Sequence, residues 1–170
     1  MDMYDELTEV DIRKMQEEID YRTKELRPKL IEDVQTARAF GDLSENFEYK
    51  VAKREKNRND SRVRYLQRMI NTAKVIPSAP AQDGVAELFD KLTIYLEEDD
   101  ETQEIELVTT LRQNALKGLI SKESPLGSAL MGHRVGDRVK VQVSDSYSYF
   151  VEIRSIEKGK DDESLEISRY

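Results

Sequence analysis

The chain has 170 residues and a mass of 19.7 kDa, enough for one large domain or two small ones, and its 27 basic and 35 acidic side chains leave a net charge of −8. Charged residues make up 36% and hydrophobic ones 38%, the balance of a protein rich in exposed helix; no apolar run approaches the roughly 18 residues of a membrane span, and the opening MDMYDELTEVD has acids where a signal peptide would be basic, so a cytoplasmic protein is expected. Without Cys, and with His133 as the single His, disulfide frameworks, thiol nucleophiles, zinc fingers and His-based acid–base pairs are excluded, which leaves carboxylates, hydroxyls, amines or a borrowed metal ion for any chemistry.

In chain order, Met15, Ile19, Arg22, Leu26, Leu30, Val34 and Ala37 advance by threes and fours, which predicts a long helix with Thr8 as N-cap and Arg22 as the one charged interruption of its stripe. Pro28 falls inside that helix and predicts a kink or local irregularity. A second helix follows from Phe47, Val51, Val63, Leu66, Ile70 and Ala73, although Lys53 to Arg62 holds no aliphatic residue. Only GDLSEN separates the two, so they must run antiparallel as a hairpin roughly 45 Å long at about 1.5 Å per residue. Residues 1–76 are read as this hairpin. The stretch PSAPAQDG at 77–84, with two prolines and no periodicity, is read as a linker.

Residues 85–158 have the period-two pattern of strands: Leu92, Ile94 and Leu96; Val139, Val141 and Val143; Tyr147, Tyr149, Val151 and Ile153. A mostly antiparallel sheet is expected, with turns at EEDDE (97–101) and SDS (144–146), and one short helix with Ser124 as N-cap, Pro125 at its first position and Gly132 just past its end. The EEDDE run lacks the glycine and carbonyl spacing of a calcium loop and reads as a solvated turn. His133 reads as an exposed loop residue, and residues 159–170 as a loose polar tail.

Charge is segregated along the hairpin. Residues 50–74 carry nine basic side chains against only Glu55 and Asp60, an imbalance that pairing within the helix cannot neutralise. Partners must come from the acidic first helix or from a polyanion. At the hairpin turn, Asp42 and Glu45 are three residues apart. An Asp N-cap with Glu at N3 is one explanation; the other is a pair of carboxylates holding a divalent cation such as Mg²⁺, which takes oxygen ligands and keeps several of its waters.

GDLSENFEYKVAKREK resembles the tip motif of the bacterial transcript cleavage factors of the GreA/GreB family, G-D-x-S/K-E-N-A-E-Y, and the resemblance continues through LTEVDIRKMQEEI, RP at 27–28, RVRYLQRMINTAKVI, ISKESPLGSALMG and VGDRVKVQV. It implies an α+β protein: an N-terminal antiparallel coiled-coil hairpin and a C-terminal FKBP-like domain of antiparallel sheet with a short helix. It also implies a factor that inserts its hairpin into the secondary channel of bacterial RNA polymerase and stimulates the polymerase's own Mg²⁺-dependent cleavage of backtracked nascent RNA, with no nuclease activity of its own. Asp42 and Glu45 would share the Mg²⁺ with the polymerase, Ser44 and Asn46 would shape the tip, Arg38 and Lys53 would contact the RNA 3′ end, and the protein would be a monomer with no membrane partner. Phe47 replaces the family's small tip residue, Arg58 and Asn59 stand where apolar residues are common, and LRQNALKG replaces an acidic stretch. RVRYL is closer to GreB and the tip to GreA. Two other readings stand beside this one: a Gre-like channel-binding inhibitor, and a nucleic-acid-binding coiled-coil adaptor with no role in chemistry.

Overall fold

A computed structural model describes residues 5–41, 45–77 and 83–167. The chain divides into two compact units, one comprising Ile12–Ala73 and the other Asp5–Asp11 together with Lys74 onward.

The first unit is the helical hairpin. Helix α1 (Glu9–Tyr21) passes into a π-helical turn (Arg22–Leu26) and then into α2 (Arg27–Arg38); α3 (Phe47–Thr72) returns. The π turn is the irregularity that Pro28 predicts. Proline has no N–H to give the preceding turn, and just before it the Arg27 N–H reaches back five residues to the Arg22 carbonyl instead of four. Across the hairpin Arg22 faces Asn59, Arg27 faces Asp60, Glu18 faces Arg62 and Ala37 faces Asn46, which is an antiparallel register.

The inner face of α3 differs from the expected stripe. Phe47 and Val51 are 75% and 37% exposed; the seam at that end runs instead through Tyr49 and Ala52, then Lys56, Asn59, Arg62 and Leu66. Lys53–Arg62 supplies no aliphatic side chain, so the middle of the seam is polar. Asn59 and Arg62 are buried there. Arg22 Nη1 donates to Asn59 Oδ1 at 3.0 Å and Asn59 Nδ2 donates to the Arg22 carbonyl at 3.1 Å. The residues that interrupt the two apolar stripes thus satisfy each other, and the carbonyl they use is the one the π turn engages. Glu18 accepts from Arg62 Nε at 2.7 Å and from Arg22 Nε at 3.2 Å.

The second unit is a five-stranded sheet: β3 (Lys91–Leu96), β4 (Glu101–Val108), β5 (Leu119–Ser121), β6 (Arg138–Gln142) and β7 (Ser148–Glu157), in the order β5-β4-β3-β7-β6. Only β4 and β5 are parallel. Period-two alternation turns Leu92, Ile94, Ile105, Leu107, Val139, Val141, Val151 and Ile153 into one core, closed by Leu130 of α4 (Pro125–Leu130). A bulge against β3 places the exposed Arg154 outside the ladder and lets Ile156 return to the core side three residues after Ile153. β6 stops at Gln142, so Val143 is half-exposed. Helix α4 has the expected ends: Ser124 Oγ accepts from the Gly127 N–H at 3.0 Å, and Gly132 has φ +81°. His133 is half-exposed and pairs with Asp137 at 3.1 Å.

Asp5–Asp11 and the segment that follows β7 both belong to this unit. β1 (Glu6–Leu7) pairs in parallel with β2 (Lys74–Val75), and Thr8 caps α1 as expected, exchanging hydrogen bonds with Asp11. The segment read as a loose tail is anchored over much of its length. The Gly159 N–H donates to Asp90 at 3.0 Å at a spot where a Cβ would stand 2.0 Å from the Phe89 carbonyl oxygen, and Leu165 packs beside Phe89, Val108 and Leu119. Arg112 is fully buried between Asp11 and Asp161. None of the described helices is long and apolar enough to cross a membrane.

Candidate functional site at the hairpin tip

Helix α2 ends in a tightened turn, with the Ala39 N–H on the Thr36 carbonyl and the Phe40 N–H on that of Ala37, both at 3.2 Å, and Gly41 takes φ +129°. The return helix is begun by Asn46. Its Oδ1 accepts from the Tyr49 N–H at 3.0 Å while its Nδ2 donates to the Ala37 carbonyl at 2.6 Å, so one amide caps α3 and ties it to the last turn of α2. The capping-box reading of Asp42 and Glu45 is therefore corrected: the N-cap is Asn46, N3 is Tyr49, and Glu45 precedes the cap as an exposed residue. Asp42 and Ser44 lie outside the described residues.

The strap has a measurable signature. Asn46→Ala loses both bonds and is expected to cost about 1–2 kcal/mol of hairpin stability, whereas Asn46→Asp keeps the cap and loses only the donor to Ala37, for about 1 kcal/mol. Denaturant unfolding reads the sizes. Hydrogen exchange at the Tyr49 amide should accelerate in the Ala variant only; unchanged stability in both variants would show that the strap contributes nothing.

Arg38 and Lys53 come from different helices and meet at one ring. The Arg38 guanidinium lies 5.6 Å and the Lys53 ammonium 5.9 Å from the Tyr49 centroid, within cation–π range. Sequence reading missed Tyr49, although its spacing of four from Lys53 places the two on one helical face.

The basic run is partly neutralised. Arg62 takes Glu18 from the first helix, and Asp60 takes Arg27 and Lys56, each at 3.1 Å. Burial would raise the Asp60 carboxyl, but the hydrogen bonds from Lys56 and Arg27 outweigh it and hold that group below its ordinary value. Among the described residues, Lys50, Lys53 and Arg54 have no carboxylate partner, and they border one shallow groove with Asn57, Arg58 and Ser61. This tip-proximal part of α3 keeps its positive charge available to a polyanion.

Comparison with known proteins accounts for both units. The model described as "Transcription elongation factor, N-terminal" matches residues 6–75, and "Transcription elongation factor, GreA/GreB, C-term" matches residues 81–158. Transcription elongation factor GreA of Oenococcus oeni is 36% identical over 154 residues, spanning 91% of this chain and 95% of the relative. GreA of Mesoplasma florum is 32% identical over 150 residues, 88% and 96% of the two chains. The solved structure of Thermus aquaticus Gfh1 aligns over 91% of this chain and 99% of its own at 20% identity, with a TM-score of 0.42. Two family domains matched in order, with full-length relatives above 30% identity, place this chain in the GreA/GreB family of transcription elongation factors.

Proposed function

We propose that the protein enters the secondary channel of bacterial RNA polymerase with its hairpin and stimulates the polymerase's cleavage of backtracked nascent RNA, without being a nuclease itself. The observation that carries the reading is the Asn46 strap, which ties the start of α3 to the last turn of α2, with Glu45 exposed just before the cap and the Arg38 and Lys53 cations gathered at the Tyr49 ring. Family membership supports the polymerase as partner.

The donor set suits a shared cation. Carboxylate oxygens are the ligands Mg²⁺ prefers, and one or two of them with water and phosphate oxygens commonly suffice. Asp42 and Glu45 would hold the ion jointly with the polymerase; when bound, Mg²⁺ supplies an acidified water and charge stabilisation at the phosphodiester. The chain's own residues do the positioning. Asn46 ties the two helices together at the tip, Ser44 would help shape it as the family resemblance implies, and Arg38 and Lys53 bind phosphates of the extruded RNA and orient it past the carboxylates. A direct test adds the protein to a stalled, backtracked polymerase complex and measures release of the 3′ RNA fragment. Release should depend on the protein, and highly purified protein alone should leave free RNA uncut in Mg²⁺. Efficient cleavage by the protein alone would overturn the assignment of the chemistry to the polymerase.

The basic pair predicts a graded effect. Arg38→Gln with Lys53→Gln should weaken cleavage of long backtracked transcripts more than short ones, because only longer RNA ends reach both cations, and added salt should impose the same deficit on the unsubstituted protein, so that the gap between the two narrows. Equal loss at every backtrack length would indicate lost docking instead.

A further inference from the structure

Two phenylalanines stand in solvent on either side of the tip turn, Phe40 at 70% and Phe47 at 75% exposure. Rings left in water forgo about 2 kcal/mol of burial each, and neither serves the hairpin seam, which at this end uses Tyr49 and Ala52. They border the same shallow depression together with Glu45, Asn46 and Glu48. Arg38 lies two residues before Phe40, and Tyr49, which carries the Arg38 and Lys53 cations, two residues after Phe47.

The pattern selects its occupant. Carboxylates at the rim repel a phosphate, but a neutral base can lay its face on a ring and offer exocyclic N–H donors to Glu48. Arg38 and Lys53, near in the chain, are then the cations available to the phosphates of a strand that continues past the base. Cations interleaved with exposed aromatic rings are the surface that single-stranded nucleic acid requires. An apolar protein segment would find two isolated rings bordered by carboxylates, with no aliphatic floor.

We propose that Phe40 and Phe47 form a stacking seat for a nucleobase of single-stranded RNA, at the extruded end of a backtracked transcript. The inference rests on the cleavage-factor reading above and adds to it a contact with the base itself, as distinct from the phosphates. The test compares backtracked bacterial polymerase complexes whose extruded nucleotides are either adenines or abasic, at limiting factor. On adenine-ended RNA, Phe40→Leu with Phe47→Leu should lower cleavage about tenfold, and Phe40→Tyr with Phe47→Tyr should preserve it. On abasic RNA the unsubstituted protein should itself fall to the level of the leucine variant, and leucine should cost nothing more. Equal losses on both RNAs would assign the rings to a polymerase surface and overturn the stacking seat, as would full activity of the leucine variant on adenine-ended RNA. If the unsubstituted protein stimulates cleavage of neither RNA, the cleavage-factor reading falls and the seat with it; stimulation that ignores base and ring alike sinks the seat alone.

Discussion

Arg112→Leu is expected to cost about 3–5 kcal/mol of stability, the scale for stripping one partner from a buried charge cluster. The Arg112 side chain is fully buried, as is that of Asp11, and Asp161 is only 8% exposed. Its Nε donates to Asp11 at 2.6 Å, Nη1 to Asp161 and to the Asp162 carbonyl, and Nη2 to Asp161 at 3.0 Å and to Thr8 Oγ1 at 3.2 Å. The guanidinium also lies 5.2 Å from the Phe89 ring centroid. Burial would lower the Arg112 pKa, but the hydrogen bonds and charges of Asp161 and Asp11 outweigh it, and the group is held in its charged form. Leucine in its place leaves two carboxylates facing each other out of water, so most of the loss should be the unpaired charge rather than the missing bonds. Adding Asp11→Asn and Asp161→Asn to Arg112→Leu should therefore recover more than half of it. Denaturant unfolding distinguishes the cases; a single variant within about 1 kcal/mol of the unsubstituted protein would show that the cluster is not buried as described.

Nothing in the sequence singles out Arg112. Its partners lie 101 and 49 residues away, and no local period connects them. The same limit applies to the tail, whose polar composition reads as loose although Asp161 and Gly159 are held by residues distant in the chain. Local features were legible: the caps at Thr8 and Ser124, the irregularity at Pro28, the alternation of the strands and the turn at EEDDE each depend on neighbours within a few residues. The hairpin seam falls between these cases. Periodicity marks Arg22 as a defect of one stripe and the Lys53–Arg62 run as a gap in the other, but only the paired helices show that Asn59 fills the gap by bonding Arg22. Near the tip, hydrophobicity misleads. Phe47 and Val51 fit a helical stripe, yet capping by Asn46 sets the helix so that Tyr49 and Ala52 turn inward. The basic pair at Arg38 and Lys53 came from family resemblance, and the ring that joins them required the structure.

The largest effect on activity is expected at the tip carboxylates. Spacing alone offered Asp42 and Glu45 a purely structural role, as N-cap and N3 of the return helix. Asn46 occupies that role, so substitution at Glu45 removes no capping bond. Asp42→Asn and Glu45→Gln keep size and hydrogen-bonding capacity and remove only the anionic oxygen that a hard cation prefers. For the exposed Glu45 stability should stay within about 0.5 kcal/mol, the usual range for surface changes, and the same is expected of the isosteric Asp42→Asn. Cleavage stimulation should fall by at least about tenfold for Asp42→Asn, which is about 1.4 kcal/mol of transition-state stabilisation, and less steeply for Glu45→Gln if that carboxylate acts through a metal-bound water. The most direct measurement is the rate of RNA release from one backtracked polymerase complex saturated with the double variant, with polymerase binding and thermal unfolding followed in parallel. A folded, polymerase-bound protein that no longer accelerates cleavage is expected; a folded, bound double variant with full cleavage activity would leave Asp42 and Glu45 without a part in the chemistry.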